Sequence, residues 1–274
     1  MKHAIGLAVC LAFCSASVAA PEAASRGIVV DGDGMIFVFD TELGSVIGAI
    51  RLDQTGSSTS DCVIAADGRR GFVAASHDRV WVIDLASSPP QLAAGINPIL
   101  VSGFADDVSL TADGRFLVVA SVGFTAAGLS VIDVASRSVV DTYNPGTLTS
   151  VDVCTDGSVL VGSSQSAGSG RIRRFVIGAA GQLTDTGESL PIVAPYNVYC
   201  APAASSGIAM TIDGQIQSFL IPGLTAVSHR ALPAQGSSGT LTKDGTRFYG
   251  WSFDGISAFD FDQATGELGA APIF

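Results

Sequence analysis

The stretch Cys62-Val63-Ile64-Ala65-Ala66-Asp67-Gly68-Arg69-Arg70-Gly71-Phe72-Val73-Ala74-Ala75, followed by Arg79-Val80-Trp81-Val82-Ile83-Asp84, decides the fold. Cys62–Ala65 reads as a short strand, Asp67-Gly68 as a turn, Gly71–Ala75 as a second strand and Arg79–Asp84 as a third, with a looser outer edge from Leu92 to Leu100. Asp-Gly between two apolar runs signals a hairpin, because glycine accepts the positive φ that the tight turn demands. The order returns as Val108–Thr111, Asp113-Gly114, Arg115–Ala120, Leu129–Asp133 and Val139–Thr142, and the turn recurs at Asp156-Gly157 and Asp244-Gly245. Apolar runs of this kind end at Asp40, Asp84, Asp133, Val176, Leu220 and Asp260, at intervals of 44, 49, 43, 44 and 40 residues. Several short strands per unit and a period of ~40–45 residues mark a β-propeller, whose repeats cannot bury their faces alone. An all-β propeller of six blades is predicted, with a seven-bladed or truncated ring as the alternative.

The first unit offers only Gly27–Val30, Met35–Asp40 and Val46–Leu52, the counterparts of the second to fourth strands of a blade. Its innermost strand is missing, so this blade is expected to be incomplete. Leu268–Phe274 either ends the last unit as its own outer strand or crosses over to the first.

The chain opens on Lys2 and His3, an apolar run from Ala4 to Phe13, and Ser17-Val18-Ala19, which together read as a secretory signal cleaved after Ala19. The organisation expected is therefore a signal peptide over 1–19 and a single propeller domain over 20–274, in the periplasm or secreted. No later segment approaches the about 18 uninterrupted apolar residues that a membrane span needs. The mean hydropathy of +0.45 reflects sheet content and few charges, since only 14% of the 274 residues are charged. A formal charge of −11 disfavours nucleic-acid partners, whose phosphates it repels. Arg171, Arg173 and Arg174 form the one basic cluster, which reads as a solvated loop and strand edge.

Chemistry is less legible. Three histidines, one of them in the signal, exclude a three-histidine site; no His-Glu-x-x-His, Gly-x-Ser-x-Gly or glycine-rich phosphate loop occurs. Asp31-Gly32-Asp33-Gly34 starts like a calcium loop but lacks its remaining ligands, and a simple turn fits better. In a four-stranded blade, the loops entering the innermost strand and those between the second and third strands open on one rim. That rim would receive Asp61, Asp106, Asp107, Ser150, Tyr196 and Asn197 from the first set, and His77, Asp78, Asp213 and Asp254 from the second. Convergent carboxylates there would suit calcium, a hard cation that prefers oxygen ligands; otherwise they are solvated charges, and no cofactor is needed. Asp61, Asp106, Asp107, Tyr196, Asn197, Asp213 and Asp254 are the candidate ligand-binding residues, and His77 beside Asp78 is a weak candidate for a general base. Cys62, Cys154 and Cys200 remain after processing. Cys154 and Cys200 fall at equal heights on neighbouring inner strands, so they are expected close together, either bridged or as two small buried side chains.

Phe72-Val73-Ala74-Ala75-Ser76 before Val80-Trp81-Val82-Ile83-Asp84, and Leu117-Val118-Val119-Ala120-Ser121 before Leu129-Ser130-Val131-Ile132-Asp133, resemble the YVTN-type propeller repeat. The Tyr and Asn that name the motif are absent. The resemblance, over roughly Arg26 to Leu268, implies an exported bacterial propeller of a lactonase-like group. Two functions follow as expectations: a binding or interaction platform for a protein or small molecule with no catalysis, or a metal-supported lactone hydrolase working at the carboxylate-rich rim.

Overall fold

The computed structural model describes residues 26–31, 33–52, 59–75, 78–123, 127–144, 146–163, 170–236 and 238–270. Residues 1–19, where a signal is expected, His77 and the last four residues lie outside them. The chain divides into two compact units, Met1–Val108 and Ser109–Phe274.

Among the described residues, unit one holds two antiparallel sheets and the start of a third. Sheet one has the order β1 (Arg26–Val30), β2 (Met35–Asp40), β3 (Ser45–Arg51). It has three strands, as the missing first segment of the repeat requires. Sheet two is β4 (Thr59–Ile64), β5 (Arg70–Ala75), β6 (Arg79–Asp84) and β7 (Gln91–Leu92), with β8 (Ile99–Leu100) also paired to β6. Strand alternation buries one face of sheet one: Ile28, Val30, Ile36 and Val38 pack against Cys62, Ile64, Val73 and Ile83 of sheet two. The approach is close enough that a Cβ on Gly71 would lie 2.2 Å from Ile28 Cδ1, so a larger residue there would have to displace the end of the Ile28 side chain.

The division between units falls inside β9 (Phe104–Leu110), which leads sheet three with β10 (Phe116–Val122), β11 (Gly128–Asp133) and β12 (Ser138–Tyr143). Sheet four is β13 (Leu148–Val153), β14 (Ser158–Ser163), β15 (Arg171–Ile177) and β16 (Leu183–Pro191). Sheet five is β17 (Pro195–Cys200), β18 (Ser206–Thr211), β19 (Gln215–Leu220) and β20 (Thr225–Ala231). Sheet six is β21 (Ser238–Leu241), β22 (Arg247–Ser252), β23 (Gly255–Asp262) and β24 (Glu267–Leu268). Each is an antiparallel meander in chain order, so β24 ends its own sheet. Second strands such as β10, β14 and β18 are covered on both faces, and the cores lie between successive sheets of the unit. The largest anchors are Phe175 between sheets three and four, Phe219 between four and five, and Phe248 and Phe259 between five and six. No described helix is long and apolar enough to cross a membrane.

Leading strands begin earlier than the apolar pattern suggests, at Thr59 rather than Cys62 and at Phe104 rather than Val108. Asp61, Asp106, Asp107, Tyr196 and Asn197 therefore sit within strands and not in loops. The reason is that a leading strand has one neighbour only, and polar side chains are tolerated along its free edge.

Candidate functional site

The free edge of a leading strand presents backbone N–H groups that need acceptors. Asp61 on β4 answers this for β9: the Val108 N–H donates to Asp61 Oδ2 at 3.3 Å and to Asp107 Oδ1 at 2.9 Å. Two of the candidate ligands thus share a backbone donor. Asp106 lies beside them with its pKa raised to about 6 by burial and by the Asp61 charge, against a hydrogen bond from Ser60 that lowers it. The adjacent Cys62 thiol is raised as well, by burial and then by Asp61, and it donates to the Ile28 carbonyl at 3.8 Å.

In unit two Asp152 plays the corresponding part, which the sequence pattern does not reveal. Its Oδ2 accepts the Cys200 N–H at 2.7 Å and its Oδ1 the Ser109 hydroxyl at 3.0 Å, while Ser109 Oγ accepts the Val153 N–H. Tyr199 continues the series by accepting the Gly239 N–H at 2.8 Å. Beside this ladder Cys154 and Cys200 form a disulfide with Cα atoms 5.5 Å apart, in keeping with their equal heights in the repeat. The arginine cluster is largely consumed internally. Arg173 pairs with Asp185, which also accepts the Tyr143 hydroxyl, and Arg174 donates to Ser158 and to both oxygens of Glu188.

The opposite character appears at the hairpin tips of sheets five and six. Thr211-Ile212-Asp213-Gly214 joins β18 to β19, and Ser252-Phe253-Asp254-Gly255 joins β22 to β23. Each tip has a buried hydroxyl, an exposed apolar side chain, an exposed Asp and a glycine at positive φ, +82° at Gly214 and +130° at Gly255. Thr211 Oγ1 donates to Asp213 Oδ1 and accepts the Gln215 N–H; Ser252 Oγ donates to the Gly255 carbonyl at 3.3 Å. The connection from β20 to β21 ties the tips together. Leu232 N–H donates to Gly214 O at 2.9 Å, and Phe253 N–H donates to Gln235 O at 3.0 Å. A Cβ on Gly236 would lie 1.9 Å from Trp251 O, so the connection passes directly beneath the second tip.

On this surface Phe253 is 72% exposed, Ile256 64%, Ile212 56% and Trp251 42%. Trp251 and Ile256 are cross-strand partners, and the Trp251 and Phe253 rings meet edge to face with centroids 5.4 Å apart. Tyr196, also exposed, is at the same end of sheet five, since Pro195 pairs with Thr211. The tips thus combine the candidates Asp213, Asp254 and Tyr196 with Trp251, which its strand pattern would place between blades, and with Ile212, Phe253 and Ile256, which the sequence alone did not single out. The missed signal was the hydroxyl-apolar-Asp-Gly tetrapeptide recurring in consecutive repeats. Asn197 lies half-buried one residue further along β17, and His77 is outside the described residues. Among the described residues no three His, Cys, Asp or Glu side chains are grouped to hold a metal ion.

Similarity to known proteins agrees with the sheets. No family model matches the chain. A stretch of 139 residues is 30% identical to a protein of Mycobacterium tuberculosis described as a seven-bladed β-propeller; it covers 45% of this chain and 34% of that protein. The chain therefore spans about a third of that relative's length. A protein of unknown function from Desulfotomaculum acetoxidans superposes with a TM-score of 0.76 at 20% identity, over 89% of this chain and 78% of the other. Hydrazine synthase of Kuenenia stuttgartiensis does so with 0.70 at 17% identity, over 86% and 80%. At these identities the likeness concerns the fold alone, and that fold is an all-β propeller.

Proposed function

We propose that this protein is an exported binding platform whose recognition surface is the pair of hairpin tips in sheets five and six. The carrying observation is the concentration of Phe253, Ile256, Ile212 and Trp251 on one tied surface, exposed in water. Single exposed apolar residues are ordinary on a protein surface; four of them on two hairpin tips joined by one connection form the kind of surface where partners dock. Export accords with the signal-like segment 1–19 and with the Cys154–Cys200 disulfide, which persists in oxidising compartments. The placement is periplasmic or secreted, and the mature protein begins near residue 20.

The test uses a photocrosslinking amino acid at Phe253, with the exposed Leu43 as control, in a protein secreted from a bacterial host. A discrete adduct at position 253 and none at 43 is expected, together with a mature N-terminus near residue 20. No adduct at 253 would remove the reading.

The rival, a lactone hydrolase using calcium, draws on the resemblance and on Asp61, Asp106 and Asp107. Asp61 and Asp107 are already occupied by the Val108 amide, which favours a structural role for both. Lactone turnover that depends on calcium, ceases with chelator and is lost in Asp61→Ala with Asp107→Ala would reverse the preference.

A further inference from the structure

The partner's chemistry can be read from what the tips carry and what they lack. Asp213 and Asp254 are both exposed, each next to an exposed apolar side chain, Ile212 and Phe253, whereas the segments 193–198, 212–214, 232–236 and 251–256 contain no Lys, Arg or His. Asp254 has no ion pair among the described residues: Arg247 pairs instead with Asp260, and Arg230 donates to the Leu268 and Gly269 carbonyls. Exposed aromatic faces flanked by carboxylates and free of competing cations attract a cation in two ways, through the ring quadrupole and through Coulomb pairing.

We infer that the tips of sheets five and six receive a cationic, partly apolar peptide segment of another protein, an Arg or Lys seated against Trp251 and Phe253 with Asp213 and Asp254 as its counter-charges. This rests on the docking reading above. Anionic occupants are disfavoured by the two carboxylates and by a net charge of −11. A second copy of this chain is disfavoured too, because a self-complementary contact would set the same acidic tips against each other. A neutral sugar or small molecule asks for a concave site, and hairpin tips are convex.

The experiment measures binding of a short disordered peptide rich in Arg and Leu, the same peptide with every Arg replaced by uncharged citrulline, and a Glu version. Wild type is compared with Trp251→Ala/Phe253→Ala and with Asp213→Asn/Asp254→Asn, each checked for an intact disulfide and unchanged circular dichroism. The Arg peptide is expected to bind roughly 3- to 20-fold tighter than the citrulline peptide at low salt, a preference that salt screens and that falls below about 2-fold in the Asn variant. The Ala variant is expected to lose at least about 10-fold for the Arg peptide. Equal binding of Arg and citrulline peptides, both lost in the Ala variant, overturns the cationic inference and leaves the docking reading standing. Binding of no peptide, or binding indifferent to Trp251 and Phe253, overturns both, as does a concentration-dependent dimer dissolved by the Ala variant.

Discussion

Asp106 and Asp113 belong to the same sheet, one near the start of β9 and the other in the turn that follows it, yet their carboxyls are pushed in opposite directions. Asp113 is exposed and lowered, by the Thr111 hydroxyl and then by the Arg115 amide; Asp244 repeats this in sheet six through Thr242 and Thr246 and falls to about 2. Asp106 is raised to about 6 because burial and a neighbouring carboxylate outweigh its one hydroxyl donor. The turn end of a sheet spends its aspartates on its own backbone. At the other end of sheets five and six, Asp213 and Asp254 face water beside exposed Ile212 and Phe253. Residue type is shared between the ends, and Asp213 also accepts a local hydroxyl, from Thr211; what differs is the setting, since each tip acid follows an exposed apolar side chain, Ile212 or Phe253, where Asp113 follows Ala112 and Asp244 follows Lys243.

The contrast breaks most visibly at the disulfide, which lies at the turn end of sheets four and five. Replacing Cys154 and Cys200 by Ala is expected to remove up to ~4 kcal/mol of stability, from the entropy of a loop with a sequence separation of 46. Urea denaturation measures it, and a loss below ~1 kcal/mol would mean that the neighbouring ladder through Asp152 holds the two sheets unaided.

Next in size is Asp106. Its folded pKa of about 6 exceeds the ordinary 3.8, so the native state holds the proton more tightly than the unfolded chain. Stability then falls as pH rises from about 4 to about 6 and stays lower above that, by up to ~3 kcal/mol. Asp106→Asn should gain ~1–3 kcal/mol at pH 7 and nothing at pH 4, since the amide keeps the Ser60 bond without the charge. Equal gain at both pH values would show that the Asp61 charge and burial are not the cause. Carboxyl chemical shifts sharpen the same point: Asp113 and Asp244 should titrate below the usual carboxylate range and Asp106 near 6.

The smallest expected effect is at the tips. Trp251→Ala with Phe253→Ala should change stability by less than ~0.5 kcal/mol, because these exposed side chains pack mainly on each other. A loss of ~2 kcal/mol or more would make the patch part of the core and remove it as a docking surface.

By itself the sequence determined the repeat, the antiparallel meanders, the three-stranded first sheet and the nearness of Cys154 to Cys200. These follow from local physics: alternation buries one side of a strand, Asp-Gly dictates a tight turn, and equal offsets from equivalent turns place two cysteines at one height. Only the tertiary structure decided which aspartates are spoken for. Asp61 meets the Val108 amide and Asp152 the Cys200 amide across 47 and 48 residues of chain, pairings that no local pattern encodes. The docking surface was hidden for the same reason. Trp251 and Ile256 read as ordinary strand residues, and it is the packing of Phe248 and Phe259 against sheet five that turns their side of sheet six toward solvent.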